Sequence, residues 1–191
     1  DTRGYMIHNV NQNGYKISSN SVYGGLAQAG GYLALEEGGA ACTAYGRMLV
    51  QKSAKWARSK GFRIVYGDTD SIMITKIGGF SDYEKANFSE CGRAFVKQLN
   101  EENFQHPIGM ALDGCFRSMH SLAKKMYDFV KYDPKDPLTI NPNLWESKGL
   151  VTSRRDSCLM IRSLYKTVAK DLACLVPLSD ILEKVANELE R

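Results

Sequence analysis

The sequence predicts an α+β fold, and three observations carry the prediction. Residues 36–59 and 83–102 place apolar side chains near helical spacing. Phe62–Tyr66 and Ile72–Thr75 are apolar, β-branched and aromatic runs around the short polar insert Gly67–Ser71, the pattern of a hairpin. Hydrophobic residues make up 43% of 191 positions, enough to bury a core of strands against helices in one domain, or in one domain and part of another.

In chain order, Lys16–Gly24 reads as a short helix. Glu36–Ser59 reads as a longer one, with Tyr45, Leu49 and Trp56 on a stripe and Gly61 as its stop. The hairpin follows and Gly78-Gly79 closes it. Tyr83–Glu102 is expected to be a single helix with Phe88, Cys91, Phe95 and Leu99 on one side. Strands are expected within Ile108–Tyr132, then a loop over Asp133–Asn143 holding three of the five prolines. Arg162–Ala173 and Leu178–Leu189 read as helices, which can open a further domain after about residue 150.

The net charge of +4 is a weak guide to partners, but its distribution is not even. Between Arg117 and Lys170 there are eleven Lys and Arg against five Asp and Glu, a stretch suited either to phosphates or to a solvated basic face. Cys42, Cys91, Cys115, Cys158 and Cys174 are scattered, which argues against zinc, iron–sulfur ligation and a disulfide framework and fits a reducing compartment. No apolar run is long enough for a membrane span. The chain opens on Asp1-Thr2-Arg3-Gly4 without a signal pattern and stops inside a helical stretch, so both ends are expected to be fragment boundaries.

The insert carries the chemistry. In extended backbone, residues i and i+2 face one side, so Asp68 and Asp70 can converge. Two carboxylates that close repel unless a cation lies between them, and Mg²⁺ takes carboxylate and phosphate oxygens together. Asp-Thr-Asp by itself also occurs in solvated turns and in nucleotide-sugar transferases. A calcium loop is excluded, because its next ligand position holds Ile72 and no glycine follows.

Four longer strings narrow the choice. Tyr66-Gly67-Asp68-Thr69-Asp70-Ser71 is similar to the signature palm motif of family B DNA polymerases. Lys16–Gly24 resembles that family's Lys-x-x-x-Asn-Ser-x-Tyr-Gly fingers helix. Lys124-Lys125-Met126-Tyr127 resembles its Lys-Lys-Arg-Tyr motif, with Met126 in place of the arginine. Lys148-Gly149 and Arg154-Arg155-Asp156 resemble its Lys-Gly…Arg-Arg-Asp segment. The motifs stand in the family's order across roughly residues 12–160, and the delta-like and viral replicative branches look most similar.

The resemblance implies the end of a fingers domain in 1–34, a catalytic palm with an antiparallel sheet packed on helices in 35–150, and the start of a thumb in 151–191. It implies transfer of a nucleotide from a dNTP to a primer 3′-hydroxyl with two Mg²⁺ ions. Asp68 and Asp70 would hold the metals and act in catalysis together with Lys16. Helical spacing aligns Lys16, Asn20 and Tyr23 on one face, where they would receive the nucleotide triphosphate. Asp113 aligns with the second acid of a Leu-Glu-x-Glu segment, here Met110–Asp113 with Ala111 in place of the first acid, and is a candidate accessory metal ligand. Lys124, Lys125 and Tyr127 would meet primer–template duplex, Lys125 and Tyr127 entering the minor groove from one strand face. Lys148, Arg154 and Arg155 would hold backbone phosphates.

The family's other essential aspartate lies in a motif before the fingers that has no counterpart here, so the remainder of a polymerase chain is an expected partner, with a processivity factor as another. The expected location is the nucleus or a viral replication site. Competing readings are a non-catalytic polymerase-like DNA-binding subunit, one half of a split polymerase, and a nucleotide-sugar transferase. The last gives no reason for the Lys124–Tyr127 motif.

Overall fold

The computed structural model describes residues 2–153 and 158–189. These divide into two compact units. One is the described part of Asp1–Lys55 with Thr69–Ser71, and the other is Trp56–Asp68 with the described part of Ile72–Arg191.

The first unit is helical. α1 spans Thr2–Ala27, much longer than the expected Lys16–Gly24. The first proline of the chain is Pro107, so nothing before it lacks a backbone donor, and Gly14, Gly24 and Gly25 lower helix propensity without ending the helix. The chain turns at Gly30, whose φ of 72° suits a residue without a Cβ. α2, Glu36–Ser59, follows with the bounds the sequence suggests. Gly39 is buried against Ala27, whose Cβ stands 3.0 Å from where a side chain would begin, so small residues set that helix contact.

Among the described residues the strands lie in the second unit, apart from Ser71 at the start of β2. β1 (Phe62–Asp68) and β2 (Ser71–Lys76) form a two-stranded hairpin. β3 (Phe116–Ala123), β4 (Met126–Lys131) and β5 (Trp145–Lys148) form a separate antiparallel sheet in the order β3-β4-β5. The structure is therefore α+β, with two small sheets.

The expected single helix over Tyr83–Glu102 is two: α3 (Asp82–Ala86) and α4 (Phe88–Asn103). Ser81 caps α3 in a reciprocal pair with Glu84. The break falls at Asn87, whose φ of −113° and ψ of 33° leave the helical region while its backbone N–H still donates to the Tyr83 carbonyl. α4 packs through Phe95 against Phe62 of β1 and Trp56 at the end of α2, with centroids 4.7 and 5.1 Å apart.

α5 (Leu159–Ala173) lies against β3 and β4, and α6 (Leu178–Leu189) packs on α5. Phe129, Val130, Leu150, Ala169, Ala173 and Ile181 are buried in this part of the molecule. No described helix is long and apolar enough to cross a membrane.

Candidate active site

β1 alternates half-buried and exposed residues along its length, which places Phe62, Ile64, Tyr66 and Asp68 on one inward face. Asp68 is thus the last member of an apolar stripe. Its carboxylate Oδ2 stands 3.5 Å from the ammonium of Lys125. Lys125 belongs to the Lys124–Lys125 turn between β3 and β4 and takes a φ of 64°, unusual for a residue with a side chain.

Two contacts hold that backbone in place. The Lys125 N–H donates to the hydroxyl of Tyr66 at 2.8 Å. On its other side, the Lys125 carbonyl oxygen abuts Gly149, where a Cβ would lie only 1.9 Å away. Gly149 itself has a φ of 67°, so glycine is required there twice over.

An aromatic and basic layer continues from this point. The rings of Tyr66 and Tyr127 are 5.3 Å apart, and Tyr127 also meets Phe129 at 6.1 Å. Tyr127 on β4 pairs in register with Lys148 on β5, whose ammonium lies 6.0 Å from the Tyr127 ring centroid. Residues from three separated sequence strings, 66–68, 124–127 and 148–149, therefore gather in the second unit.

One expectation about this layer needs correction. Lys125 does not share a strand face with Tyr127, because Lys125 is in the turn at positive φ and strand alternation starts only at Met126. Tyr127 is 8% exposed, packed beneath Tyr66 and beside Phe129. The same alternation does not join Asp68 to Asp70. β1 ends at Asp68, and Thr69 has a φ of 51°, so a two-residue turn and not extended backbone separates the two acids. Asp70 is exposed in that turn.

Asp113 precedes β3 and is exposed. It lines a cavity of about 400 Å³ with Tyr127, Lys131, Glu146 and Lys148. Lys131 and Glu146 form an ion pair across β4 and β5 at its wall. Burial pushes the thiol of Cys115, in the same wall, above its usual range, so it stays protonated at neutral pH. Among the described residues no three His, Cys, Asp or Glu side chains are grouped to hold one metal.

Lys16, Asn20 and Tyr23 all lie on α1 in the first unit, at the one-face spacing i, i+4 and i+7, and all are exposed. Lys124 and Lys148 are exposed beside the Tyr127 layer. Arg154 and Arg155 lie outside the described residues. The five cysteines are free thiols. Sequence reasoning assigned no task to Tyr66 or Gly149. Both stand inside the strings that carried the resemblance, which was the available signal.

Comparison with known proteins shows the family. The family model for DNA polymerase family B matches residues 1–191. The chain is 29% identical over 97% of its length to the DNA polymerase delta catalytic subunit of Plasmodium falciparum, and 31% identical over 81% to a DNA polymerase of Red sea bream iridovirus. It is 28% identical over 97% to the DNA polymerase alpha catalytic subunit of Drosophila melanogaster. It spans 17%, 16% and 12% of the lengths of these three proteins. These likenesses define the class as that of the DNA polymerases. The chain belongs to DNA polymerase family B.

Proposed function

We propose that this segment works within a longer polymerase chain in template-directed DNA synthesis, joining a nucleotide from a dNTP to a primer 3′-hydroxyl. In this reading 1–34 ends the fingers, 35–150 is the catalytic palm and 151–191 begins the thumb. The observation that supports it best is the packing of the Asp68 strand on the lysine turn and tyrosine layer, together with the family match over the whole chain.

Asp68 and Asp70 offer hard oxygen donors of the kind Mg²⁺ takes, and Asp68 already faces a cationic group. They fit as part of a donor set for two Mg²⁺ ions, to be completed from elsewhere in the longer chain, since no third acid joins them among the described residues. When bound, the ions supply charge that activates the primer hydroxyl and steadies the departing pyrophosphate.

The chain's own side chains have separable tasks. Lys16 offers a positive charge to the triphosphate and offsets charge that builds on the leaving group. Asn20 donates hydrogen bonds near the phosphates, and Tyr23 presents an apolar surface to the nucleotide on the same helix face. Lys124, Lys125 and Lys148 contact DNA phosphates, which gives sequence-neutral, salt-sensitive affinity. Tyr127 meets the primer–template duplex from the layer on which Lys148 and Tyr66 rest.

The exposed apolar residues of α1, among them Tyr5, Ile7, Val10, Ile17 and Val22, support action inside a larger protein, because a free domain rarely leaves so many uncovered. The nucleus or a viral replication site is the location this reading assigns. Extension of a primed template by the full-length chain tests it. Wild type is expected to extend, and Asp70→Asn to lose extension while still binding DNA. Retained extension by that variant would remove Asp70 from the site.

A further inference from the structure

We infer that Lys125 is the resident counter-cation of Asp68, held there by Tyr66 and Gly149, and that an incoming divalent cation must displace it. The inference rests on the metal-binding role proposed for Asp68.

Three observations on this chain carry it. The Lys125 ammonium lies 3.5 Å from Asp68 Oδ2, with the carboxylate 28% exposed and the lysine 65% exposed. The backbone that carries that lysine is held on both sides, since its N–H is fixed on Tyr66 and its carbonyl leaves no room for a side chain at residue 149. Its φ of 64° is tolerated in the turn that these two contacts define. Glycine would suit that φ better, so the side chain is kept against a backbone preference for its absence.

The physical consequence is competition. A carboxylate that already faces an ammonium has less negative potential left for a metal ion, so Lys125 weakens metal binding in the absence of DNA. When primer–template arrives, its phosphates offer the same ammonium a second anionic partner. Moving Lys125 to DNA withdraws that ammonium from Asp68, so DNA binding and metal binding support each other through one side chain. Tyr66 and Gly149 are positioning residues in this scheme, because they act through Lys125.

The test uses the full-length chain and Mn²⁺ as the probe, followed by electron paramagnetic resonance of the free ion, without DNA. Lys125→Gln is expected to bind Mn²⁺ about two- to five-fold more tightly than wild type, the range set by a partly exposed ion pair. The gain is expected to shrink as salt is raised. Lys125→Arg is expected to stay near wild type. Tyr66→Phe keeps the ring but loses the acceptor, and is expected to move in the same direction as Lys125→Gln by a smaller factor.

DNA affinity of Lys125→Gln is expected to fall while Mn²⁺ affinity rises, and these opposite signs separate competition from a folding defect, which lowers both. Unchanged or weaker Mn²⁺ binding by Lys125→Gln overturns the inference. Asp68→Asn distinguishes the two levels of failure. If it binds Mn²⁺ as wild type does, the metal role of Asp68 is what fails. If it loses Mn²⁺ and Lys125→Gln still matches wild type, only the competition fails.

Discussion

Replacing Gly149 by alanine should be among the most damaging single-methyl changes in the second unit. Gly149 has a φ of 67°, which costs an L-residue about 1–2 kcal/mol. The added Cβ would also fall 1.9 Å from the Lys125 carbonyl oxygen and 3.0 Å from its carbon. Backbone on both sides must retreat by more than an ångström, and forced overpacking of this kind costs roughly 1–3 kcal/mol more. The sum is a loss of about 2–5 kcal/mol. Gly61 supplies the control, because its φ is 84° but nothing lies within 4 Å of its Cβ position. Gly61→Ala should therefore cost only the conformational part, about 1–2 kcal/mol. Urea unfolding of both variants reads the difference. Equal losses, within about 0.5 kcal/mol, would refute the argument that Gly149 is required by its contact with Lys125.

Further outcomes follow from other parts of the second unit. Asp128 is buried at 2% exposure, accepts the Trp145 indole N–H at 2.9 Å and faces His120 at 3.6 Å. Asp128→Ala strands that indole donor and should cost about 1–3 kcal/mol in the same unfolding assay. Glu102 accepts from Trp56, Lys60 and Gln98, and the Trp56 hydrogen bond, followed by the other two, lowers its pKa from 4.5 to about 2. A carboxylate depressed on folding stabilises above its unfolded pKa, so its contribution should be full above pH 4.5 and vanish as pH falls to about 2. Glu102→Gln should flatten the change in melting temperature across that window. Neutralising Lys124 or Lys148 should weaken DNA binding on every sequence alike and reduce the dependence of log affinity on log salt by about 1 per residue.

The parts that were legible in the sequence depend on local pattern. α2 could be bounded from its apolar stripe and the glycine that follows it, and the β1–β2 hairpin from its apolar runs. β5 was not visible, because Trp145–Lys148 is four residues beside a proline-rich loop and is a strand only through its pairing with β4. The split at Asn87 turns on the backbone conformation of one residue, which periodicity does not register.

For the site, motif strings named Asp68, Lys125, Tyr127 and Lys148 but not how they meet. Strand alternation was the wrong rule for both pairs to which it was applied. Thr69 and Lys125 sit in tight turns at positive φ, where side-chain direction is set by the turn. The tasks of Tyr66 and Gly149 were hidden for a related reason. One is a hydroxyl accepting a distant backbone N–H, and the other is space kept empty for a distant carbonyl. Neither leaves a periodic trace.

Single-turnover incorporation of one nucleotide, measured by rapid quench on the full-length chain with saturating DNA, tests the carboxylate hairpin most directly. Asp68→Asn and Asp70→Asn should each slow the chemical step by on the order of 10²–10³ or more, with DNA affinity held near wild type. Wild-type incorporation rates in either variant would contradict the claim that these two side chains serve the reaction.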